Sequence, residues 1–259
     1  MMHEVPYGRL ASAHMLHATA CRAVFALGGH RISPSTPKDR PLTLHEREDL
    51  YLRDLFWLCY KLDKDIALRT GQPPLINDDF CNLSLPEGYL DGRYDALSFQ
   101  SSPNKTPSSR RTPQLPGDLR LDLLKSKVCK LLYSAESSQK SDAELLRAIR
   151  ELDEELERWR VSIPANFSPS MSVSASETMD PELDTPMRML HIELHLEYNH
   201  LLAVIHCASG RCTLSANGTG KGDPGYGVQS SLELSVEASR STLIYLKAAA
   251  HRIASEAFW

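Results

Sequence analysis

The chain has 259 residues, of which 42% are hydrophobic and 24% are charged, and its formal net charge at pH 7 is -4. A chain of this length can bury enough apolar surface to form a core without disulfides or structural metals. Its charge balance gives no general attraction to phosphate, which argues against direct nucleic-acid binding. Any DNA contact is therefore expected to come from a segment that this chain lacks.

The cysteines of the chain show no C-x-x-C pair and no other spacing that closes a zinc loop. They are Cys21, Cys59, Cys81, Cys129, Cys207 and Cys212. We expect free thiols in a reducing compartment, and no cofactor bound by this chain.

No stretch of the sequence approaches the roughly 20 consecutive apolar residues of a membrane span, so no membrane contact is expected.

Helical patterns dominate the chain from its start. The first helix is predicted over about Arg9 to Leu27, because Gly28-Gly29 is a helix-ending signal. The second opens at the capping box Thr43-x-x-Glu46 and runs to Thr70, where Gly71 and the prolines after it stop the helix. Its expected apolar face comprises Leu55, Phe56, Leu58, Cys59, Leu62 and Ile66. Its expected polar face comprises Asp54, Lys61, Lys64 and Asp65.

Residues 93–117 are rich in Ser, Pro, Lys and Arg and lack the apolar area that offsets the entropy of ordering. We expect a mobile surface insertion here, between an N-terminal part (1–92) and the remaining helices (118–259) of the same domain. Its Ser-Pro and Thr-Pro sites could be phosphorylated or form part of a localisation signal, but a plain linker is the preferred interpretation.

Four more helices are predicted in the second half of the chain. The third covers about Asp118 to Glu136, and the fourth opens at the capping box Ser141-x-x-Glu144. The fourth carries a seam for a neighbouring helix, formed by Leu145, Ile149, Leu152, Leu156 and Trp159.

The fifth helix is expected from Thr185-Pro186 to about Ala208. The last is expected to open at a third capping box, Ser230-x-x-Glu233, and to continue almost to Trp259. The patterns together predict an all-α protein, an irregular multi-helix bundle. Because the chain stops while it still reads as helix, we expect the domain to be truncated at its C-terminus.

The fifth helix also carries the one constellation that suggests chemistry. His191 and His195 are four residues apart, so both imidazoles can face one side and share a metal ion. Glu193, between them, points about 200° away around the helix and cannot assist a metal-bound water there. His191 and His195 are therefore candidate metal ligands, but packed core histidines are the preferred interpretation.

Other catalytic signatures are absent from the sequence. It contains no G-x-S-x-G elbow, no phosphate-binding G-x-x-x-x-G-K-[ST] and no G-x-G-x-x-G after a strand. The glycines at 218–222 suggest a flexible loop, and the carboxylates at 153–155 suggest a solvated helix face. The sequence predicts that the chain is not an enzyme.

The segment from Leu52 to Pro86, LRDLFWLCYKLDKDIALRTGQPPLINDDFCNLSLP, resembles the signature of the fungal-specific transcription factor domain, the middle homology region of binuclear zinc-cluster regulators. The matching residues are Phe56, Trp57, Tyr60, Asp63, Leu68, Gly71, Pro73, Pro74, Ile76, Asp78, Asp79 and Pro86. Residues 22–31, 145–164 and 190–206 are similar to further family patterns, with Gly29 where leucine is usual.

We expect the signature residues Phe56, Trp57, Asp63, Gly71, Pro73 and Pro74 to act structurally, with none as a catalytic or ligand-binding group. Phe56 and Trp57 lie about 100° apart around the helix, so they can anchor two neighbouring helices. Gly71 permits a sharp helix exit, and the two prolines hold the chain extended. Asp63 is expected to accept hydrogen bonds from a helix end or an arginine.

The resemblance implies the regulatory domain of a nuclear transcription factor that controls transcription by RNA polymerase II. Family members bind DNA through an N-terminal cluster in which six cysteines hold two zinc ions, so zinc and DNA contact are expected only in a cluster that this chain lacks. The implied partners are a second copy of the chain, a small-molecule effector or a coregulator protein. The alternative is a stand-alone interaction module that binds no DNA and inhibits complete regulators.

Overall fold

The structure is a computed structural model that describes residues 10–32, 40–86, 89, 117–165, 167–171, 185–212 and 224–253. Within these ranges the backbone forms α-helices and short 3₁₀ helices and no β-strand, so the predicted all-α class is confirmed. The chain divides into two compact units, Met1–Leu119 and Arg120–Trp259. Nearly all of the predicted insertion at 93–117 lies outside the described residues, and the predicted domain boundaries stay a prediction.

The first unit contains α1 (Leu10–Ala26) and α2 (Leu44–Thr70), which pack against each other. A short 3₁₀ helix follows at Asp78–Phe80. Beyond the end of α1, Gly28 adopts a φ of 84°, a left-handed conformation that favours glycine. Gly29 then lies so close to α2 that a Cβ atom there would be 3.0 Å from the Leu52 carbonyl oxygen.

Both ends of α2 are fixed by local hydrogen bonds. At its start the Glu46 amide donates to Thr43 Oγ1 at 3.3 Å, and the Thr43 amide donates to the Glu46 carboxylate at 2.8 Å. At its end Gly71 has a φ of 69° and its amide donates to the carbonyl of Ala67. The predicted capping box and the predicted glycine stop are therefore confirmed.

The buried face of α2 differs from the predicted one. Lys61 and Lys64 were expected on the polar face, yet they expose only 5% and 0% of their surface. Leu55 was expected on the apolar face, yet it is 50% exposed. Arg53 and Lys64 are buried because the chain that follows α2 supplies their partners, whereas Lys61 pairs with Asp65 of the same helix at 3.6 Å. The buried residues of α2 are Arg53, Phe56, Trp57, Cys59, Tyr60, Lys61, Asp63, Lys64 and Ala67.

The second unit contains the remaining helices. They are α3 (Leu119–Leu132), α4 (Asp142–Val161), α5 (Thr185–Cys207) and α6 (Pro224–Ile253), with 3₁₀ helices at Glu136–Gln139 and Ala208–Arg211. Helix α5 packs against both α4 and α6. The third helix was predicted to reach Glu136, but the α-helix ends at Leu132 and a 3₁₀ turn follows. Across the described part of the chain, no helix has the length and apolar character to cross a bilayer.

The predicted seam of α4 is confirmed. Its five residues expose between 0% and 6% of their surface; they are Leu145, Ile149, Leu152, Leu156 and Trp159. The capping box at the start of the helix is present as predicted, with the Glu144 amide donating to Ser141 Oγ. Helix α4 thus follows its sequence pattern closely, because its partners bury one apolar stripe and leave the charged side in water.

The predicted start of the last helix is wrong. Helix α6 begins at Pro224, so Ser230 lies inside the helix and cannot act as its N-cap. Proline suits the first helical position because its fixed φ is helical and the missing amide proton has no partner there. Glu233 accepts a hydrogen bond from Gln229 Nε2 at 2.9 Å instead of closing a capping box.

Candidate functional site

An arginine lies against two aromatic rings on the buried face of α2. Arg53, Phe56 and Trp57 are neighbours there, because positions three and four apart on a helix adjoin. The guanidinium carbon of Arg53 is 4.8 Å from the Phe56 ring centroid and 5.0 Å from the Trp57 ring. Guanidinium groups stack well on aromatic faces because they are weakly hydrated. All three side chains expose 1% of their surface or less.

The segment at 72–86, here called the strap, follows α2 and returns along it. Arg53 Nη2 donates to the carbonyl oxygens of Asn82 at 2.6 Å and Ser84 at 2.9 Å. Burial lowers the pKa of Arg53 to about 10, so the side chain is still charged at neutral pH. A charged donor with two backbone acceptors therefore fixes the far end of the strap.

Asp63 fixes the near end of the strap. Its carboxylate accepts hydrogen bonds from the backbone amides of Leu75 at 2.7 Å and Ile76 at 3.0 Å. His17 Nε2, from α1, lies 3.6 Å from Asp63 Oδ1. Burial favours a higher pKa for Asp63, but the histidine, Lys64 and the two amides outweigh it and lower the pKa. These partners are not the helix end or arginine that the sequence predicted.

Lys64 is a fully buried cation with several partners. Its Nζ donates to the carbonyl of Ile76 at 2.7 Å and lies 3.2 Å from Asp63 Oδ2. It also lies 3.3 Å from Asp78 Oδ1, and the Tyr60 hydroxyl donates to the same carboxylate at 3.1 Å. Two carboxylates thus offset the cost of burying the ammonium group. Arg53, Tyr60, Asp63, Lys64 and Asp78, with the strap, form what is here called the strap network.

The six predicted signature residues fall into two groups in this arrangement. Phe56, Trp57 and Asp63 are buried on α2. Gly71 ends that helix, and Pro73 and Pro74 follow it in a non-helical stretch at the start of the strap. Burial of Phe56, Trp57 and Asp63 and the left-handed φ of Gly71 support the structural roles predicted for these four residues.

Sequence reasoning missed Arg53, His17 and Lys64. One signal was available for Arg53, because it lies three and four residues before Phe56 and Trp57 and so shares their buried face. No comparable signal marks His17 or Lys64. Their partners come from other elements, and only the folded chain brings these together.

His191 and His195 lie side by side in the second unit, with 4.3 Å between their ring centroids. His191 Nδ1 is hydrogen-bonded to the Tyr245 hydroxyl of α6 at 2.9 Å. His195 Nδ1 is 3.0 Å from the carbonyl oxygen of His191, and its ring stacks on Tyr245 with a centroid distance of 4.7 Å. One nitrogen of each candidate ligand is therefore already in a hydrogen bond.

The environment keeps both imidazoles neutral. Burial, and then the neighbouring His195, lower the pKa of His191 to about 4. Burial also lowers the pKa of His195. Among the residues that the structure describes, no group of three or more His, Cys, Asp or Glu side chains is placed to hold a metal ion. The geometry is that of packed, hydrogen-bonded histidines between α5 and α6.

A surface groove of about 380 Å³ lies between α3 and α4, here called the α3–α4 groove. Three apolar side chains line it: Leu123, Leu124 and Trp159. Five polar ones complete the lining: Arg120, Lys127, Glu155, Arg158 and Ser162. Lys127 Nζ pairs with Glu155 Oε1 at 2.7 Å, and Arg120 donates to Ser162 Oγ at 2.8 Å. The lining therefore contains three cationic side chains and one carboxylate.

Each of the two units is helical in its described residues, and in the first a strap is held by buried charges. Residues 1–161 match the family model described as the fungal specific transcription factor domain. The chain therefore belongs to this family, as its sequence indicated.

Relatives in several fungi share part of this chain. It is 35% identical over 191 residues to an ABC-transporter-regulating transcription factor of Aspergillus oryzae, a match that covers 74% of this chain and 19% of the relative. The protein of the same description in Aspergillus fumigatus gives the same identity and coverage. A transcriptional regulatory protein of Schizosaccharomyces pombe is 25% identical over 164 residues, covering 59% of this chain and 23% of the relative.

The chain thus spans about a fifth of the length of the curated relatives it matches. No solved structure matches this chain.

Proposed function

We propose that this chain is the regulatory part of a zinc-cluster transcription factor, acting in the nucleus on transcription by RNA polymerase II and without enzymatic activity. The family match across residues 1–161 carries this proposal. The two Aspergillus relatives are described as regulating ABC transporters, so genes for such transporters are the first targets to test.

DNA contact in this proposal belongs to a zinc cluster outside this chain. The formal net charge of -4 supports that division, because phosphate binding requires a concentration of lysine and arginine. A gel-shift titration of the purified chain with duplex DNA tests it. Binding that falls steeply with added salt would contradict this part of the proposal.

The proposal assigns the expected small-molecule effector to the α3–α4 groove. Its volume of about 380 Å³ lies within the roughly 300–1,000 Å³ typical of ligand pockets. Cationic side chains surround the half-buried Leu123, so the proposed effector class is an organic anion with an apolar body.

Anilinonaphthalene sulfonate, an apolar sulfonate whose fluorescence rises on binding, is a suitable probe of the groove. Arg158→Glu should weaken its binding, because the change replaces a lining cation by an anion. Arg147→Glu is the matched control, since Arg147 is exposed on the same helix and does not line the groove. Equal affinity of the two variants for the probe would contradict the groove as an anion site.

A second copy of the chain or a coregulator protein is the remaining expected partner. Helix α6 exposes five large apolar side chains: Leu232, Val236, Leu243, Ile244 and Leu246. Such exposed apolar positions often mark protein contacts. Light scattering across a concentration series tests for a homodimer, and a single-chain mass at every concentration would contradict it.

A tethering assay tests the regulatory function directly. The chain is fused to an unrelated DNA-binding domain in a yeast reporter strain, and transcription is compared with that of the DNA-binding domain alone. A change in reporter output supports the proposal, whereas a folded, nuclear fusion without effect contradicts it. Unfused chain that lowers the output of a complete relative would favour the inhibitory alternative.

A further inference from the structure

Two cysteines meet where α1 packs on α2. Cys21 and Cys59 expose 4% and 7% of their surface. They lie between two contacts that join α1 to α2, Gly29 against Leu52 and His17 against Asp63, so the antiparallel helices place the two sulfurs opposite each other. Both thiols are free in the structure. They come from helices far apart in sequence, so the fold, and not local spacing, creates the pair.

The pair lies beside groups that can handle a proton. His17 Nε2 is 3.3 Å from Cys21 Sγ, and the same nitrogen is 3.6 Å from Asp63 Oδ1. The hydrogen bond from Cys21 lowers the pKa of the Cys59 thiol, and the same bond, with burial, raises the pKa of Cys21. Asp63 and Lys64 are the nearby charges, and they act in opposite senses on Cys21. The thiolate therefore forms preferentially at Cys59, with Cys21 as its resolving partner.

We propose that Cys21 and Cys59 form an oxidisable dithiol site, which a small hydroperoxide converts into a disulfide that joins α1 to α2. The inference goes beyond the proposed function and rests on the α1–α2 contact alone. The four other cysteines of the chain lie elsewhere: Cys81 on the strap, Cys129 on α3, and Cys207 and Cys212 at the end of α5 and just beyond it.

The chemistry balances in two steps. The Cys59 thiolate attacks one peroxide oxygen, the O–O bond breaks, and Cys59 becomes a sulfenic acid as hydroxide leaves. The Cys21 sulfur then attacks the Cys59 sulfur, the S–OH bond breaks, and His17 passes the Cys21 proton to the departing hydroxide, which leaves as water. The proton that the Cys59 thiol lost converts the first hydroxide to water, so two thiols and one hydrogen peroxide give one disulfide and two waters.

The disulfide would act on the strap network through His17. Its two sulfurs lie about 2.05 Å apart, so oxidation draws the thiols together and moves Cys21 relative to His17, whose Nε2 is 3.3 Å from its sulfur. His17 contacts both Cys21 and Asp63, and Asp63 holds the near end of the strap. Oxidation of the pair therefore changes a contact of the carboxylate that anchors the signature segment.

Peptide mapping of the intact chain tests the proposal without any variant. The reduced protein is treated with one equivalent of hydrogen peroxide, free thiols are blocked with N-ethylmaleimide, and the protein is digested with trypsin without reductant. Cleavage after Arg9, Arg22, Arg53 and Lys61 releases the peptides 10–22 and 54–61, which carry Cys21 and Cys59. The expected first product is these two peptides joined by a disulfide.

Cysteine-to-serine variants test whether the joined peptide depends on Cys21 and Cys59. Cys21→Ser and Cys59→Ser should each abolish the joined peptide, and with Cys21→Ser the Cys59 sulfenic acid should persist and react with dimedone. Cys129→Ser, at another buried cysteine, should leave the joined peptide unchanged. The proposal is overturned if Cys21 and Cys59 stay reduced while the exposed Cys207 is oxidised, or if other pairings form first.

Discussion

The Asp63 carboxylate accepts a 2.7 Å hydrogen bond from the amide of Leu75, twelve residues further along the chain. The bond closes the turn between the end of α2 and the strap. Because the carboxylate also lies 3.2 Å from Lys64 Nζ, one side chain satisfies backbone donors and a buried cation together. The signature segment of this chain thus contains a buried ion pair.

Replacement of Asp63 should destabilise the first unit strongly. Asp63→Ala leaves the buried Ile76 amide and the half-buried Leu75 amide without their acceptor, and it removes one of the carboxylates near Lys64. We expect a loss of about 3 kcal/mol in the free energy of unfolding, measured by urea denaturation, with Asp78 limiting the damage. Glu48→Ala, at an exposed position of the same helix, should change it by less than about 0.5 kcal/mol. Equal effects would show that the strap contact is not formed.

Trp57 should be a major contributor to stability because it is fully buried. We expect Trp57→Ala to cost roughly 3–5 kcal/mol in a urea unfolding experiment. Tyr51→Ala removes another ring from the same helix at a position that is 69% exposed, and it should cost little. A loss below about 1 kcal/mol for the Trp57 variant would refute its burial.

Stability should fall as pH drops from 6.5 to 4, in part through His191. The folded pKa of His191, about 4, lies below the ordinary 6.5, so the unfolded chain binds the proton more readily in this window. The corresponding loss is on the order of 3 kcal/mol and is complete below pH 4.

Urea midpoints measured across that range provide the test. His191→Gln keeps a polar partner for Tyr245 but cannot titrate, so its stability should depend less on pH. His45→Gln, at a side chain that is 84% exposed, should retain the wild-type dependence. An unchanged slope in the His191 variant would contradict the assignment.

Ser141 and Ser230 are each followed three residues later by a glutamate, but only Ser141 begins a helix. Replacing each serine by alanine should separate the two cases. Ser141→Ala removes the N-cap of α4 and should cost about 1 kcal/mol. Ser230→Ala lies inside α6 and should be neutral or slightly stabilising, because alanine is the better helix former. Thermal unfolding of both variants measures the difference. A similar cost for both would move the start of α6 to Ser230.

Gly29 should tolerate no side chain without a shift of α2. A Cβ there would lie 2.9 Å from Val24 Cγ1 and 3.0 Å from the Leu52 carbonyl oxygen. We expect Gly29→Ala to cost roughly 1–3 kcal/mol through overpacking. Gly227→Ala is the control, since it lies within α6 with nothing within 4 Å of the new carbon, and it should gain about 0.5–1 kcal/mol. Differential scanning calorimetry of the two variants measures whether each substitution lowers or raises the stability of the protein.

Helix ends were predictable where their cause is local. Thr43, Glu46 and Gly71 form their bonds within a few residues, so the sequence contains the whole interaction. The same spacing at Ser230 was misleading. The first residue of a capping box must itself be non-helical, and Ser230 lies inside α6. Pro224 supplies the real start of α6.

The candidate sites were less predictable because their partners are distant in sequence. From the sequence, Lys64 is predicted to be a surface residue. In the structure the strap places Asp78 and the Ile76 carbonyl next to its ammonium group. Neither periodicity nor composition places Cys21 against Cys59. The α3–α4 groove could not be predicted either, because its lining comes from two helices whose packing the sequence does not show.

Ionic strength should affect the two charged regions of this protein differently. Lys127 is 53% exposed, so mobile ions screen its attraction for a ligand over a Debye length of about 8 Å at physiological salt. Lys64 and Asp63 are enclosed by protein, where counterions do not enter, and their attraction survives in concentrated salt. A rising salt concentration would therefore weaken recognition at the surface groove while the signature segment keeps its conformation.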